Sequence, residues 1–225
     1  MLKTPENIRT LQRKLYHKAK QEKAYRFYAL YDKIYRADIL SHAYNLVCAN
    51  KKGSAGIDGV TFEAIETGEG ITAILAELEE ALKSKTYRPD PVKRVMIPKA
   101  NGDKRPLGIP TIRDRVAQMA VKLVIEPIFE ADFCDNSYGF RPRKSAHDVV
   151  DDVAYAMNRG YTEVIDADLS KYFDTIPHAN LLAAVAERIS DGEILRIIKL
   201  WLKAPVMEVD KDGKKRNVGG GITMP

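Results

Sequence analysis

Two aspartates lie two positions apart in residues 163–178, whose sequence is EVIDADLSKYFDTIPH. Residues 164–169 have the pattern of a short, largely buried strand, in which Asp166 and Asp168 project from the same face. Two like charges on one face destabilise a strand unless a cation meets them, and Mg²⁺ accepts carboxylate and phosphate oxygens. The pattern is therefore typical of phosphoryl-transfer chemistry, in which two metal ions stabilise the attacking and the leaving oxygen.

Each acidic residue of this segment also has a structural interpretation. Asp166 fits a solvated position at the edge of a sheet, and Asp174 fits the N-cap of a short helix. The residues alone leave these interpretations open, and for Asp168 they do not decide between a metal ligand and a structural role.

The positive charge of the chain is concentrated in two blocks. Residues 1–36 and residues 81–115 each contain ten lysines and arginines against three acidic residues, although the net charge of all 225 residues is only +5. Such blocks indicate a surface that follows a polyanion such as nucleic acid, or two well-solvated helices. The hydrophobic fraction of 45% excludes a disordered tail, and no apolar run approaches the roughly 18 residues of a membrane span.

Cysteine usage and the first residues bear on location. Cys48 and Cys134 are far apart and lack the spacing of a zinc site or of a disulfide framework. The opening sequence MLKTPENIRTLQRK lacks the apolar core of a secretory signal. We therefore expect a cytoplasmic protein.

Helical periodicity predicts a basic helix over residues 6–23, whose polar faces carry cations that include Lys14 and Lys18. A second helix is expected from about residue 25 to residue 50, with tyrosines interleaved among its cations.

The residue patterns predict five further helices, at 70–84, 112–127, 146–158, 177–189 and 193–203. Thr111 to Asp114 and Ser145 to Asp148 have the capping-box pattern that opens the second and the third of these helices, and Pro127 is expected to end or bend the second.

Two β-hairpins are predicted where short apolar runs flank glycine-containing loops. Residues 88–110 place Lys99, Lys104 and Arg105 near the tip of the first, and residues 206–218 form the second. A cationic tip either clamps a phosphate chain or serves solubility, and the pattern favours the clamp because the cations share one side of the loop. Helices and hairpin-connected strands in irregular order predict an α+β fold.

Five segments of the chain carry recognisable motifs. In chain order they read LYDKIYRADIL, GSAGIDGVT, IPKANGDKRPLGIPTIRDR, SYGFRPRKSAHD and DADLSKYFDTI. Together they resemble the reverse transcriptases of the group II intron type, also called intron-encoded maturases. The resemblance implies the fingers of a right-hand polymerase and the first half of a palm with an antiparallel sheet. It divides the chain into a basic helical N-terminal extension at 1–52, a fingers region at 53–135 and a partial palm at 136–225.

The resemblance also implies roles for residues at the reaction centre. Asp168 would be the first catalytic aspartate and a metal ligand, and Leu169 would offer its main-chain carbonyl to the second of two Mg²⁺ ions. Phe173 would pack beneath the incoming sugar and discriminate against a 2′-hydroxyl, and ordinary core packing is also compatible with that position. Lys99 and Arg105 would hold the deoxynucleoside triphosphate and the template.

Four further cations match regions that contact nucleic acid in the family. Arg113 and Arg141 fall in motifs that lie near the primer and template. Lys14 and Lys18 belong to the extension that such enzymes use against intron RNA and template.

By this resemblance the chain is the N-terminal portion of an RNA-directed DNA polymerase. Its partners would be intron RNA, an RNA template with a DNA primer, and deoxynucleoside triphosphates, without a membrane. The family's second source of metal ligands, a Tyr-x-Asp-Asp element, is absent from these 225 residues, so we expect no polymerisation by them alone. The alternatives are a non-catalytic RNA-binding protein like a maturase, and one half of a split reverse transcriptase.

Overall fold

The computed structural model describes residues 2–49, 53–67, 70–100, 102–169, 172–210 and 213–220. The helices within these ranges are α1 (Glu6–Gln21), α2 (Tyr31–Ile34), α3 (Ala37–Cys48), α4 (Phe62–Thr67), α5 (Gly70–Lys83), α6 (Ile112–Glu130), α7 (Ala146–Met157), α8 (Tyr172–Thr175), α9 (His178–Arg188) and α10 (Gly192–Leu202). The strands are β1 (Val92–Pro98), β2 (Lys104–Ile109), β3 (Pro205–Val209) and β4 (Lys215–Gly220). None of the described helices is both long and apolar enough to cross a membrane.

The core is built around α6, against which α1, α2, α3 and α5 pack. Thr111 caps this helix as predicted, because its side chain accepts a 3.2 Å hydrogen bond from the main-chain nitrogen of Asp114. The sequence predicts that Pro127 ends or bends the helix, yet α6 continues beyond it. Proline lacks a main-chain N–H, and the Leu123 carbonyl that it would have bonded accepts a 3.0 Å bond from Nε2 of Gln12 in α1.

The single helix expected over residues 25–50 is wrong in its first half. The main chain of Phe27 instead pairs with Ile189, far along the chain, and its carbonyl accepts from the main-chain nitrogens of Ser190 and Asp191. The chain becomes helical only at α2 and again at α3. A long-range main-chain contact thus overrides the local helical periodicity.

Two side chains reinforce this contact. Oδ2 of Asp191 accepts bonds of 2.7 and 2.9 Å from the main-chain nitrogens of Leu30 and Tyr31, at the start of α2. Arg188 is 6% exposed, and its guanidinium donates a 2.8 Å bond to the carbonyl of Ala19 near the end of α1. It also donates to the carbonyls of Glu22, Lys23 and Tyr25.

The four strands form one sheet in the order β2-β1-β3-β4. Both predicted hairpins are present as antiparallel pairs, β1 with β2 and β3 with β4. The hairpins join through a short parallel pairing of β1 with β3, where Val92 lies opposite Val206 and Lys93 opposite Met207. The α+β class is therefore confirmed, while the sheet is mixed instead of purely antiparallel, because β3 enters beside β1 only after the intervening helices.

One hydrophobic cluster draws on all three regions that the sequence suggests. It contains Ile8 from residues 1–52, Leu78 from residues 53–135 and Ile197 from residues 136–225, each fully buried. The three regions therefore share a core in the described part of the chain.

The buried strand expected over residues 164–169 is wrong. Val164, Ile165 and Leu169 are 81%, 94% and 69% exposed, and the segment has no regular secondary structure. The described strands all belong to the β2-β1-β3-β4 sheet, so none lies beside this segment to accept its main-chain bonds or cover its apolar side chains. The preceding helix, α7, likewise has no buried residue.

Candidate nucleic-acid interface and metal-binding aspartate

The first hairpin presents its cations at an exposed tip. Its turn closes through a 2.6 Å bond from the main-chain nitrogen of Lys99 to the carbonyl of Asp103, and Gly102 adopts a φ of +88° that favours glycine. Lys99, Lys104 and Arg105 are all exposed. The structure thus brings the two residues expected to bind phosphate to the same end of one hairpin.

The base of this hairpin rests on a buried hydrogen-bond network around Asp114. Its Oδ1 accepts a 2.6 Å bond from the hydroxyl of Tyr87, and its Oδ2 accepts a 2.8 Å bond from the main-chain nitrogen of Asp90. The indole Nε1 of Trp201 donates a 3.0 Å bond to the Tyr87 oxygen. Burial raises the pKa of the Asp114 carboxyl and the pKa of the Tyr87 hydroxyl. The network fixes the start of α6 and the approach to β1 against α10.

Arg113 makes internal contacts beside this network. Its guanidinium lies 5.0 Å from the centre of the Tyr87 ring and donates a 3.3 Å bond to the carbonyl of Arg88. Its Nε is 4.0 Å from a carboxylate oxygen of Glu77, and a quarter of the side chain is exposed. The structure places Arg113 at the root of the hairpin, with part of its surface open to a ligand.

The glycine-rich loop of residues 53–61 packs against the same helix start. A Cβ at Gly56 would lie 2.7 Å from Cα of Thr111 and 2.8 Å from its nitrogen, so the close approach requires glycine. Arg115 also holds the loop by donating a 2.5 Å bond to the carbonyl of Ser54. The loop and the hairpin are therefore both positioned by the first turn of α6.

Arg141 points into the protein instead of toward solvent. Its side chain is 7% exposed and forms an ion pair with Glu130 at 2.7 Å. It also donates bonds of 2.6 Å to the carbonyls of Cys134 and Ser137. Its hydrogen bonds hold the loop that follows α6.

The two lysines of the N-terminal helix differ in their surroundings. Lys14 is exposed on α1. Lys18 pairs with Glu22 at 2.5 Å and lies 4.4 Å from the centre of the Tyr25 ring, and the bond to Glu22 raises the pKa of Lys18. Lys14 therefore offers the more available charge.

Asp168 is exposed, and so are its neighbours Asp166 and Leu169. They lie outside the sheet that carries the cationic hairpin. Phe173 belongs to α8, and its side chain is outside the described residues, as is that of Asp174. Among the residues that the structure describes, no three His, Cys, Asp or Glu side chains cluster to hold a metal ion.

Motif reasoning missed two exposed residues that flank Arg141. Phe140 and Arg143 both have left-handed backbone conformations, with φ of 56° and 63°. Phe140 is 90% exposed. A glycine at either position would have indicated a left-handed backbone. Neither the type nor the spacing of Phe140 and Arg143 indicates one.

Comparison with known proteins bears on the same residues. A family model described as "Reverse transcriptase (RNA-dependent DNA polymerase)" matches residues 97–221, more than half of the chain. The chain belongs to the reverse transcriptase family. The match includes Lys99, Arg105, Arg113, Arg141 and Asp168, whereas Lys14 and Lys18 precede it.

Relatives of this reverse transcriptase-family chain include proteins encoded in introns. It is 38% identical to protein YkfC of Escherichia coli over 90% of its own length, and 35% identical to the group II intron-encoded protein LtrA of Lactococcus lactis over 81%. It is 29% identical over 83% of its length to the "uncharacterized 91 kDa protein in cob intron" of Schizosaccharomyces pombe. The resemblance to group II intron reverse transcriptases and maturases is confirmed.

The relatives are longer than this chain. It spans 54% of the Escherichia coli protein, 30% of the Lactococcus lactis protein and 23% of the Schizosaccharomyces pombe protein.

Proposed function

We propose that this chain is the N-terminal portion of an RNA-directed DNA polymerase of the group II intron type, comprising the fingers and part of the palm. The observation that carries the proposal is the exposed cationic hairpin, whose tip lies inside the region matched by the reverse transcriptase family and whose base is fixed to the core. A rigid base with a solvated cationic tip is suited to phosphate binding. The contacts at the base fix where the hairpin lies, and the exposed cations at its tip remain free for a ligand.

Lys99 and Arg105 are proposed to hold the triphosphate and the template. The planar guanidinium of Arg105 suits paired hydrogen bonds to phosphate oxygens, and the ammonium of Lys99 acts as a point charge. Arg113 would contact the primer and template through its exposed part. Arg141 would serve the same interface indirectly, because its hydrogen bonds position the loop that contains it.

Asp168 is proposed as a ligand of the divalent metal that polymerases of this family use, with the carbonyl of Leu169 as a second ligand. An exposed carboxylate and a carbonyl are suitable oxygen donors for Mg²⁺, but the described residues supply no cluster of three acidic or imidazole ligands. They do not form a complete magnesium site. In a complete enzyme with two ions, Mg²⁺ would neutralise charge on the reacting phosphate.

The proposed partners are intron RNA, an RNA template with a DNA primer, and deoxynucleoside triphosphates. Residues 1–225 alone are proposed to bind nucleic acid without incorporating nucleotides. We propose a cytoplasmic location, because RNA and deoxynucleoside triphosphates are available there. Exposed Lys14 and its neighbours on α1 also favour the second candidate function, a non-catalytic RNA-binding protein or half of a split enzyme.

The test is binding of residues 1–225 to a fluorescein-labelled RNA template annealed to a DNA primer, followed by fluorescence anisotropy at several salt concentrations. The double variant Lys99→Ala with Arg105→Ala removes two hairpin cations. A matched control, Lys199→Ala with Lys203→Ala, removes two exposed cations that lie outside both basic blocks. Each phosphate contact contributes about 0.7 to 0.9 to the slope of log affinity against log salt, so we expect the hairpin variant to lose about 1.4 to 1.8 from that slope.

The outcomes separate cleanly. The control variant should keep the slope of the parent chain. Equal slopes for the hairpin variant and the control would remove the hairpin from the interface, and absence of binding by the parent chain would overturn the proposed function.

A further inference from the structure

The loop between α6 and α7 holds a large aromatic side chain in solvent. Phe140 is 90% exposed, and it has a left-handed backbone that L-residues rarely adopt. Arg143, three residues later, repeats this conformation. Two such residues in one short loop mark a conformation imposed by the surrounding structure, which is a feature of ligand-binding segments.

Hydrogen bonds fix this loop on both sides of Phe140. Arg141 is bonded to Glu130 of α6 and to the carbonyls of Cys134 and Ser137. Nζ of Lys144 donates a 3.1 Å bond to the carbonyl of Asp135. The exposure of Phe140 is therefore a set position, with its backbone tied to the end of α6.

The end of the loop is tied to the next helix. Ser145 and Asp148 form the capping box predicted for α7, with reciprocal bonds between side chain and main chain. The segment that carries Phe140 is thus anchored at the end of α6 and at the start of α7.

A cationic groove borders the same loop. It has a volume of about 360 Å³, and its lining includes Arg9, Arg13 and Tyr16 of α1 together with Pro142 and Arg143 of the loop. Arg143 is exposed and lies within 4 Å of no carboxylate oxygen among the described residues. An aromatic ring and an available guanidinium therefore lie three residues apart on a fixed loop.

The two acidic residues that line the groove, Glu126 and Glu130, already have cationic partners. Glu126 pairs with Lys122 at 3.4 Å, and Glu130 pairs with Arg141 at 2.7 Å. They therefore compete little for Arg143.

Asp148, Asp151 and Asp152 also lie beside Arg143, in a neighbouring hollow, but none of them forms an ion pair with it. The charge of Arg143 remains available to an anion that enters the groove.

We propose that Phe140 stacks on an unpaired base of RNA while Arg143 binds an adjacent phosphate. This inference deepens the proposed function and rests on it. Bases stack on aromatic side chains without sequence preference, and a cationic groove follows the backbone of a single strand. Protein interfaces are also enriched in aromatic and arginine side chains, so contact with protein is the competing outcome that the experiment has to exclude. Arg141 is a positioning residue in this arrangement, because its guanidinium donates all its described hydrogen bonds within the protein and these bonds hold the loop.

The experiment measures binding of residues 1–225 to a short fluorescein-labelled single-stranded RNA by fluorescence anisotropy. Phe140→Ala should weaken binding at least about fivefold, the lower end of the effect of removing one stacking ring. Phe140→Leu keeps an apolar side chain and the same backbone requirement, but leucine has no ring on which a base can stack. It should therefore lose as much affinity as Phe140→Ala. Phe140→Trp should bind as the parent does, and RNA should quench the fluorescence of the new indole.

Tyr161→Ala is the matched control, since Tyr161 is also aromatic and 72% exposed but lies outside the loop. It should bind RNA as the parent chain does. Sedimentation of the parent and of Phe140→Ala tests the competing outcome, in which Phe140 contacts protein.

Four results would overturn the inference. They are full RNA affinity in Phe140→Ala, full affinity in Phe140→Leu, an unquenched indole in Phe140→Trp, and loss of self-association in Phe140→Ala without loss of RNA binding. If the parent chain binds RNA and Phe140→Ala binds equally well, only this inference fails. If the parent chain does not bind RNA, the proposed function fails with it.

Discussion

The hydroxyl of Tyr87 donates a 2.6 Å hydrogen bond to Oδ1 of Asp114, and both residues are at least 99% buried. The two residues come from different elements, because Tyr87 follows α5 and Asp114 lies in the first turn of α6. Their contact therefore joins the residues that precede the cationic hairpin to those that follow it.

Replacing Tyr87 by Phe tests the energetic role of this contact. The variant keeps the ring but leaves an acceptor on Asp114 and the Nε1 donor of Trp201 without their partner. We expect the free energy of unfolding to fall by about 1 to 3 kcal/mol, the cost of leaving a buried polar group unsatisfied. Urea denaturation measures it, with Tyr161→Phe at an exposed position as a control expected to change stability by less than about 0.5 kcal/mol. An equally small change in Tyr87→Phe would contradict the prediction.

Asp114→Asn tests how the buried carboxyl responds to pH. Burial raises the pKa of Asp114, so the folded state holds this proton more tightly than the unfolded state does. The resulting stabilisation is complete below the ordinary aspartate value of about 3.9 and is lost as the pH rises through the raised pKa. Asparagine does not titrate. The unfolding free energy of the parent minus that of the variant should therefore fall as the pH rises. Denaturation at a series of pH values measures this difference. If the parent instead gains stability relative to the variant as the pH rises, the pKa of Asp114 is lowered and the prediction is wrong.

Gly56→Ala tests the packing of the glycine-rich loop on α6. A methyl group at this position would meet the main chain of Thr111, which cannot move as a flexible side chain can. We expect a loss of about 1 to 3 kcal/mol in stability, as for other overpacked sites. Gly192→Ala is the control, because a Cβ at Gly192 meets nothing within 4 Å. Urea denaturation of both variants should show a lower unfolding free energy for Gly56→Ala. Equal unfolding free energies would show that the loop moves to accommodate the methyl group.

Asp168→Asn tests the proposed metal ligand in a polypeptide that joins these residues to a Tyr-x-Asp-Asp element. A metal ion contributes several kcal/mol to the stability of a phosphoryl-transfer transition state, so nucleotide incorporation should fall at least about a hundredfold. Primer extension measures incorporation, and anisotropy should show unchanged RNA binding. Asp166→Asn, two residues away and also exposed, should remain active. If both variants lose nucleotide incorporation equally, Asp168 is not distinguished from Asp166 as the metal ligand, and the prediction is wrong.

Local signals predicted the elements that depend on local interactions. The hairpin turn at Gly102 and the caps at Thr111 and Ser145 are each set by a few neighbouring residues, and the structure has all three. The cationic tip followed from the hairpin, because its residues are adjacent to the turn.

Contacts between distant residues account for what the sequence did not predict. No local pattern reveals that Phe27 pairs with Ile189, so the helix expected at residue 25 does not begin there. The apolar pattern of residues 164–169 predicts a strand, but a strand needs neighbours, and none of the described strands adjoins it. Motif reasoning likewise marked Arg141 without showing that Glu130 binds its guanidinium.

The bonds from the side chain of Arg188 to the end of α1, and from the main-chain nitrogen of Phe27 to the carbonyl of Arg188, also constrain how such chains can diversify. Every chain has main-chain carbonyls, so a gene exchange that imported a foreign first 27 residues would keep the bonds donated by Arg188 only if the foreign segment followed the same path. Viable hybrids between relatives should therefore come from parents whose backbones follow the same path there, even though more than 150 codons separate the carbonyls from the arginine.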